Sequence, residues 1–213
     1  MQVLFTGVGT FGHVLPLARA FRRQGHAVAI MVPQSMAPAF AAEDAEMLAA
    51  GADIPSILAE LMRRTGVDPM TGMTPEVGTE FFAGTRVDLS ADESLAAARA
   101  WQPDLIVHDA YDLVAPLVAA ALEVPAALFM VGPAGSDADG RCGYSPEFVR
   151  AAEAALAERY AARGLAPRPA RWVLDVSPRR CSRTTGRRPK GGRRCGRRLT
   201  AFPTGCPRPS CGR

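Results

Sequence analysis

Few side chains in this 213-residue chain combine reactive chemistry with a placement from which they could act on a ligand. His13 follows the glycine loop Gly7-Val8-Gly9-Thr10-Phe11-Gly12 and opens a helical pattern, and Asp109 closes the apolar run Leu105 to His108. Both fall at the carboxyl edge of a parallel sheet, where open α/β sheets bind ligands. A histidine backed by a buried carboxylate is a general-base pair, because the acid orients the imidazole and stabilises its charged form. The positive end of the helix dipole at His13 disfavours the imidazolium and suits the residue to accept a proton. Each residue has a plainer alternative: His13 as a capping or exposed histidine, Asp109 as the N-cap of the helix that follows it. Asp112 reads as a first-turn acid of that helix. His108 adjoins the pair without a settled role, and His26 lies at the opposite sheet edge as a structural turn residue.

The glycine loop matches G-x-G-x-x-G at the place of a dinucleotide fingerprint. That fingerprint also needs an acid at the end of the second strand to hold a ribose hydroxyl. The strand here ends Val32-Pro33-Gln34-Ser35, which argues against NAD or FAD. What remains is a backbone that turns tightly and leaves a helix N-terminus open towards a ligand.

The elements that must position these residues alternate between strand and helix. Gln2–Thr6 reads as a buried strand, His13 to Gln24 as a helix stopped at Gly25, and Ala27–Val32 as a second buried strand, which together make a βαβ unit. Between Gln34 and Ser90 the pattern weakens, and short helices are expected at Pro38–Ala50, Pro55–Arg64 and Pro75–Thr85. This stretch carries Met36, Met47, Met62, Met70, Met73, Phe81 and Phe82. They read either as core filler or as an adaptable lining for an apolar ligand. A helix at Asp92–Trp101, a strand at Leu105–Val107, a helix at Tyr111–Leu122, a strand at Ala126–Val131, a helix at Pro146–Arg163 and a last strand at Val173–Val176 complete the series. Such alternation predicts a Rossmann-like, doubly wound parallel α/β domain.

Charge divides the chain after Pro178. Residues 179–213 hold 12 of the 25 lysines and arginines and none of the 21 acids, which leaves residues 1–178 with 13 basic and 21 acidic side chains. The body is therefore acidic although the whole chain carries +4. Four of the five cysteines lie in the tail, in a spacing that makes a poor zinc template. The single body cysteine, Cys142, fits a reducing cytoplasm. The apolar stretch Leu113 to Val131 is broken by Pro116, Glu123 and Pro125, so no membrane span is expected. The Arg-, Gly-, Pro- and Cys-rich tail cannot build a core and is expected to be disordered. A basic arm for nucleic acid is one reading of it. The favoured one is out-of-frame translation of GC-rich codons.

The segment TGVGTFGHVLPLARAFRRQGHAV resembles the opening of family 1 glycosyltransferases of the GT-B type, especially actinobacterial ones acting on natural products. Thr10, Gly12, His13, Pro16, Gly25 and His26 carry the likeness. A second stretch, Pro103–Leu128 (PDLIVHDAYDLVAPLVAAALEVPAAL), resembles the family's strand–Asp–helix–G-V-P–strand segment. The resemblance implies transfer of a hexose, with inversion, from a nucleoside-diphosphate sugar to a hydroxyl of a small natural product. It implies His13 as the base, Asp109 as its partner, and an acceptor held near Thr10, Phe11, Gly12, Phe81 and Phe82. No metal is implied, and no cofactor besides the nucleotide sugar as co-substrate. Most donor contacts belong to a second domain of such enzymes. Residues 1–178 then form the N-terminal, acceptor-binding domain, inactive alone. The alternative is a non-catalytic auxiliary partner of a full-length glycosyltransferase.

Overall fold

A computed structural model of the chain describes residues 1–8, 13–72, 74–130 and 146–174, and the backbone of 201–203. Its centre is a sheet of seven strands in the order β3-β2-β1-β4-β5-β6-β7. These are β1 (Gln2–Thr6), β2 (Ala27–Val32), β3 (Glu46–Ala49), β4 (Leu105–Asp109), β5 (Ala126–Phe129), β6 (Trp172–Leu174) and β7 (Ala201–Pro203). β1 to β6 run parallel, and β7 joins the edge antiparallel to β6. The doubly wound α/β architecture expected from the sequence is thus present. The three residues of β7 lie in the basic tail, where no strand was expected. The rest of the tail lies outside the described residues.

The strands are apolar throughout because both faces are covered. Successive side chains point to opposite sides of the sheet. Val3 and Phe5 of β1 join one layer, with Val28, Ile30, Val107 and Phe129, against α1 (Leu15–Arg23). Leu4 joins the other, with Ile106, Ala29 and Ala126. That second layer packs against α4 (Arg86–Trp101), α5 (Val114–Leu122) and α6 (Pro146–Ala162). α1 stops at Gly25, whose φ of +82° is left-handed and suits glycine.

Between β2 and α4 the chain departs from the sequence reading. A helix was expected at Pro38–Ala50. Instead a 3-10 turn spans Gln34–Phe40, with Pro38 inside it, and Glu46–Ala49 pairs with β2 as β3. The residues EMLA favour helix in isolation, and pairing along the open edge of β2 overrides that preference. α2 (Ile54–Thr65) forms as expected, capped by Asp53 and closed by Gly66. The two helices expected at Pro75–Thr85 and Asp92–Trp101 are one continuous run. It comprises α3 (Pro75–Thr79), a π-helical turn at Glu80–Thr85, and α4. Arg64 of α2 donates to Glu80 and Asp88 at 3.0 and 2.8 Å, and Arg159 of α6 holds Asp88 with two bonds of 2.8 Å. These contacts tie α2, the π turn, α4 and α6 together.

Candidate active site

The strand order reverses between β1 and β4, the switch point at which open α/β sheets leave a crevice beyond their carboxyl ends. Thr6 pairs in register with His108, so the chain leaving β1 runs beside Asp109. Asp109 is 2% exposed and uses both carboxylate oxygens. Oδ1 accepts the backbone N–H of Tyr111 at 2.7 Å and of Asp112 at 2.9 Å; Oδ2 accepts the N–H of Val8 at 2.8 Å. Asp109 therefore stitches the start of the glycine loop to the end of β4 and shapes the turn after it. α5 begins at Val114 with Leu113 at its N-cap, so Asp109 does not cap that helix as the plainer reading had it; its Oδ1 holds the turn that precedes the helix instead.

Nε2 of His13 stands 3.5 Å from Oδ2 of Asp109. The separation is that of an ion pair, and among the described residues this nitrogen has no hydrogen bond. The ring also stacks on Phe129, centroids 6.1 Å apart and planes within 19°. With Nε2 turned to the carboxylate, Nδ1 is the atom left to take a proton from a ligand. His13 keeps 32% of its side chain accessible, so the pair is buried on the acid side and open on the imidazole side. Burial pushes the Asp109 carboxyl above the ordinary range, and the neighbouring Asp112 charge adds to this; the N–H groups of Val8 and Tyr111 and the charge of His13 oppose it.

Asp112 is not inside the helix. α5 begins at Val114, and Asp112 precedes it, accepting the N–H of Val114 at 3.1 Å. Its carboxylate, 2% exposed, pairs with Arg86 at 2.8 Å. Burial alone would raise this carboxyl, but the Arg86 guanidinium beside it holds it below the usual range. Arg86 also reaches the carbonyl of Gly7 at 3.3 Å. Nothing local in the sequence marks Arg86, a helix residue 26 positions from its partner. His108 is buried; its Nδ1 donates to the carbonyl of Asp109 at 2.9 Å, and burial pushes its pKa down. It is a neutral interior histidine.

Thr10, Phe11 and Gly12 lie outside the described residues. Phe81 turns inward, 7% exposed, among Ile57, Leu61 and Val77. Phe82, the next residue of the π turn, is half-buried and packs edge-on against the Phe81 ring at 4.8 Å. Its ring is 5.5 Å from that of Tyr111 and 6.2 Å from Phe148 of α6. Tyr111 thus touches both Phe82, through its ring, and Asp109, through its backbone N–H. The methionines do not gather into one lining: Met62 and Met70 are exposed, Met36 and Met47 pack on the sheet, and Met73 lies outside the described residues. Among the described residues no group of three His, Cys, Asp or Glu side chains could hold a metal ion, and no helix is long and apolar enough to cross a membrane.

A doubly wound parallel α/β domain of this kind is the class to which the N-terminal halves of GT-B glycosyltransferases belong. Residues 19–189 match the family described as erythromycin biosynthesis protein CIII-like, N-terminal domain, and the chain belongs to that family. The match begins after His13. The 3-alpha-mycarosylerythronolide B desosaminyl transferase of Saccharopolyspora erythraea is 26% identical over 157 residues, which is 62% of this chain and 37% of that protein. The glycosyltransferase SnogD of Streptomyces nogalater is 28% identical, with a TM-score of 0.64 over 84% of this chain and 46% of its own. SsfS6, a glycosyltransferase of Streptomyces sp. SF2575, gives 26% and 0.64 over 84% and 51%, and has also been solved with thymidine diphosphate. The chain thus spans 37–51% of the length of these relatives.

Proposed function

We propose that this chain is the acceptor-binding half of a cytoplasmic glycosyltransferase that moves a hexose, with inversion, from a nucleoside-diphosphate sugar to a hydroxyl of a small natural product. The observation that carries this reading is the His13–Asp109 pair: a half-open imidazole against a fully buried, triply hydrogen-bonded carboxylate at the switch point. The acceptor hydroxyl would give its proton to Nδ1 of His13 as its oxygen bonds to the anomeric carbon. The bond from that carbon to the diphosphate breaks, and the diphosphate leaves with the electron pair. Asp109 stabilises the imidazolium that forms. Thr10, Phe11 and Gly12 would contact the acceptor, and Phe82, with Phe81 against it, would offer it an apolar surface. No metal or organic cofactor enters this scheme.

Donor binding and stabilisation of the departing diphosphate belong, in this reading, to a second domain that these 213 residues do not supply. Calorimetry tests it. Apolar natural-product aglycones should bind the chain weakly, and Phe82→Ala should weaken them about tenfold through lost apolar contact. Nucleoside-diphosphate sugars should show no binding, and micromolar affinity for any of them would contradict the assignment.

A further inference from the structure

The site holds a second buried carboxylate that the proposed chemistry does not use. Asp112 lies three residues from Asp109 and is bonded to it through its own backbone N–H. Both carboxyl groups are 2% exposed. Two anions this close in a water-poor site compete for one proton unless a cation separates their demands. Among the described residues the charged or titratable groups facing Asp109 are His13, from the loop after β1, and Asp112; His108 of β4 bonds only its backbone carbonyl. Those facing Asp112 are Arg86 of α4 and His108. Since burial keeps His108 neutral, Arg86 is the one fixed positive charge in the group. Its second contact, to the Gly7 carbonyl, anchors the strand end next to Val8, whose N–H binds Asp109.

We infer that Arg86 is a positioning residue of the site: by pairing with Asp112 and holding the Gly7 carbonyl, it neutralises the spare carboxylate and fixes the strand end, so that the charge of Asp109 is committed to His13. This role presupposes the His13–Asp109 base pair proposed above. A merely structural Arg86 would support packing without altering the ionisation of Asp109, and the two roles therefore separate by titration.

The test uses the full chain with carboxyl-¹³C aspartate, the Asp109 resonance being assigned by its loss in Asp109→Asn. In Arg86→Met the two carboxyls should share one proton, so the second of the pair's two ionisations should move up by about one pH unit or more. Arg86→Lys, which keeps the charge, should leave the Asp109 midpoint within a few tenths of a unit of the native one. Asp112→Asn, which removes the neighbouring charge that raises the Asp109 carboxyl, should lower it. This last variant keeps the test decisive if Arg86→Met does not fold. A second ionisation of the pair that is unmoved in folded Arg86→Met, or an Asp109 midpoint unmoved in Asp112→Asn, overturns the inference. No sugar transfer enters these titrations, so they can fail while His13 remains the base, and His13 can fail as the base in a transfer assay while they succeed.

Discussion

Replacing Arg86 with methionine keeps most of the stem and removes the guanidinium. Asp112 is then a buried carboxylate with no counter-charge. Removing one partner of a buried ion pair typically costs about 3–5 kcal/mol. Protonation sets a ceiling. An ordinary aspartate titrates at about 3.9 and each pH unit is worth about 1.4 kcal/mol, so carrying Asp112 protonated at pH 7 costs about 4 kcal/mol. In the native chain Arg86 holds the folded-state pKa of Asp112 below its unfolded value. The contribution of Asp112 is therefore present above about pH 4 and is lost only as pH falls through the lower folded-state midpoint. In the variant the folded-state value lies above the unfolded one, so the penalty is largest at neutral pH and fades as pH falls towards about 4. Urea unfolding followed by far-ultraviolet dichroism should show a loss of about 3–4 kcal/mol at pH 7 and only about 1–2 kcal/mol at pH 5. Adding Asp112→Asn should recover much of the loss at pH 7. A loss below about 1 kcal/mol at pH 7, or one equal at both pH values, refutes the reasoning.

Three further outcomes follow from particular contacts. A β-carbon on Gly84 would meet the Glu80 carboxyl, which Arg64 and Thr85 hold in place at 3.0 and 2.8 Å. Gly84→Ala should destabilise the chain by about 1 kcal/mol or more in thermal melts, overpacking outweighing the better helix propensity; in a Glu80→Ala background the same change should be neutral or stabilising, and an equal cost in both would contradict the clash. Burial pushes the Tyr160 phenol up to about 12. The folded state holds this proton more tightly than the unfolded one, so stability should fall as pH rises from about 10 towards 12, and absorbance titration at 295 nm should show one late step that Tyr160→Phe removes. Asp109→Asn should cost a two-domain form of the enzyme less transfer than His13→Ala, and should spare acceptor binding in calorimetry, because Asp109 acts through His13; a loss larger than that of His13→Ala would contradict this order.

Much of the fold was legible in the sequence because QVLFT, AVAIMV and LIVHD are continuous apolar runs bounded by glycine, proline or acid, as strands covered on both faces must be. Their alternation with helices placed His13 and Asp109 at one sheet edge before any distance was known. The region 34–90 was less readable for physical reasons. EMLA becomes a strand only because β2 has an open edge to pair with, and nothing in EFFAGT announces that the helix widens into a π turn that sends Phe81 inward and Phe82 towards Tyr111. Asp112 looked like an ordinary first-turn acid because the Asp109 turn, which delays α5 to Val114, is set by bonds across the strand end. Arg86 carried no signal, since its partners lie 26 and 79 residues away.

The most direct test of the central claim is a transfer assay with the chain joined in frame to a donor-binding C-terminal half such as that of SsfS6. Positioning two substrates supplies about 7–11 kcal/mol of a barrier and a general base about 10²–10⁴-fold in rate. The 213-residue chain alone should give no detectable product, the joined enzyme should transfer sugar to a natural-product aglycone, and His13→Ala in it should lower the rate by about 10²–10⁴-fold. Transfer by the chain alone, or a joined enzyme that keeps its full rate without His13, would contradict the account.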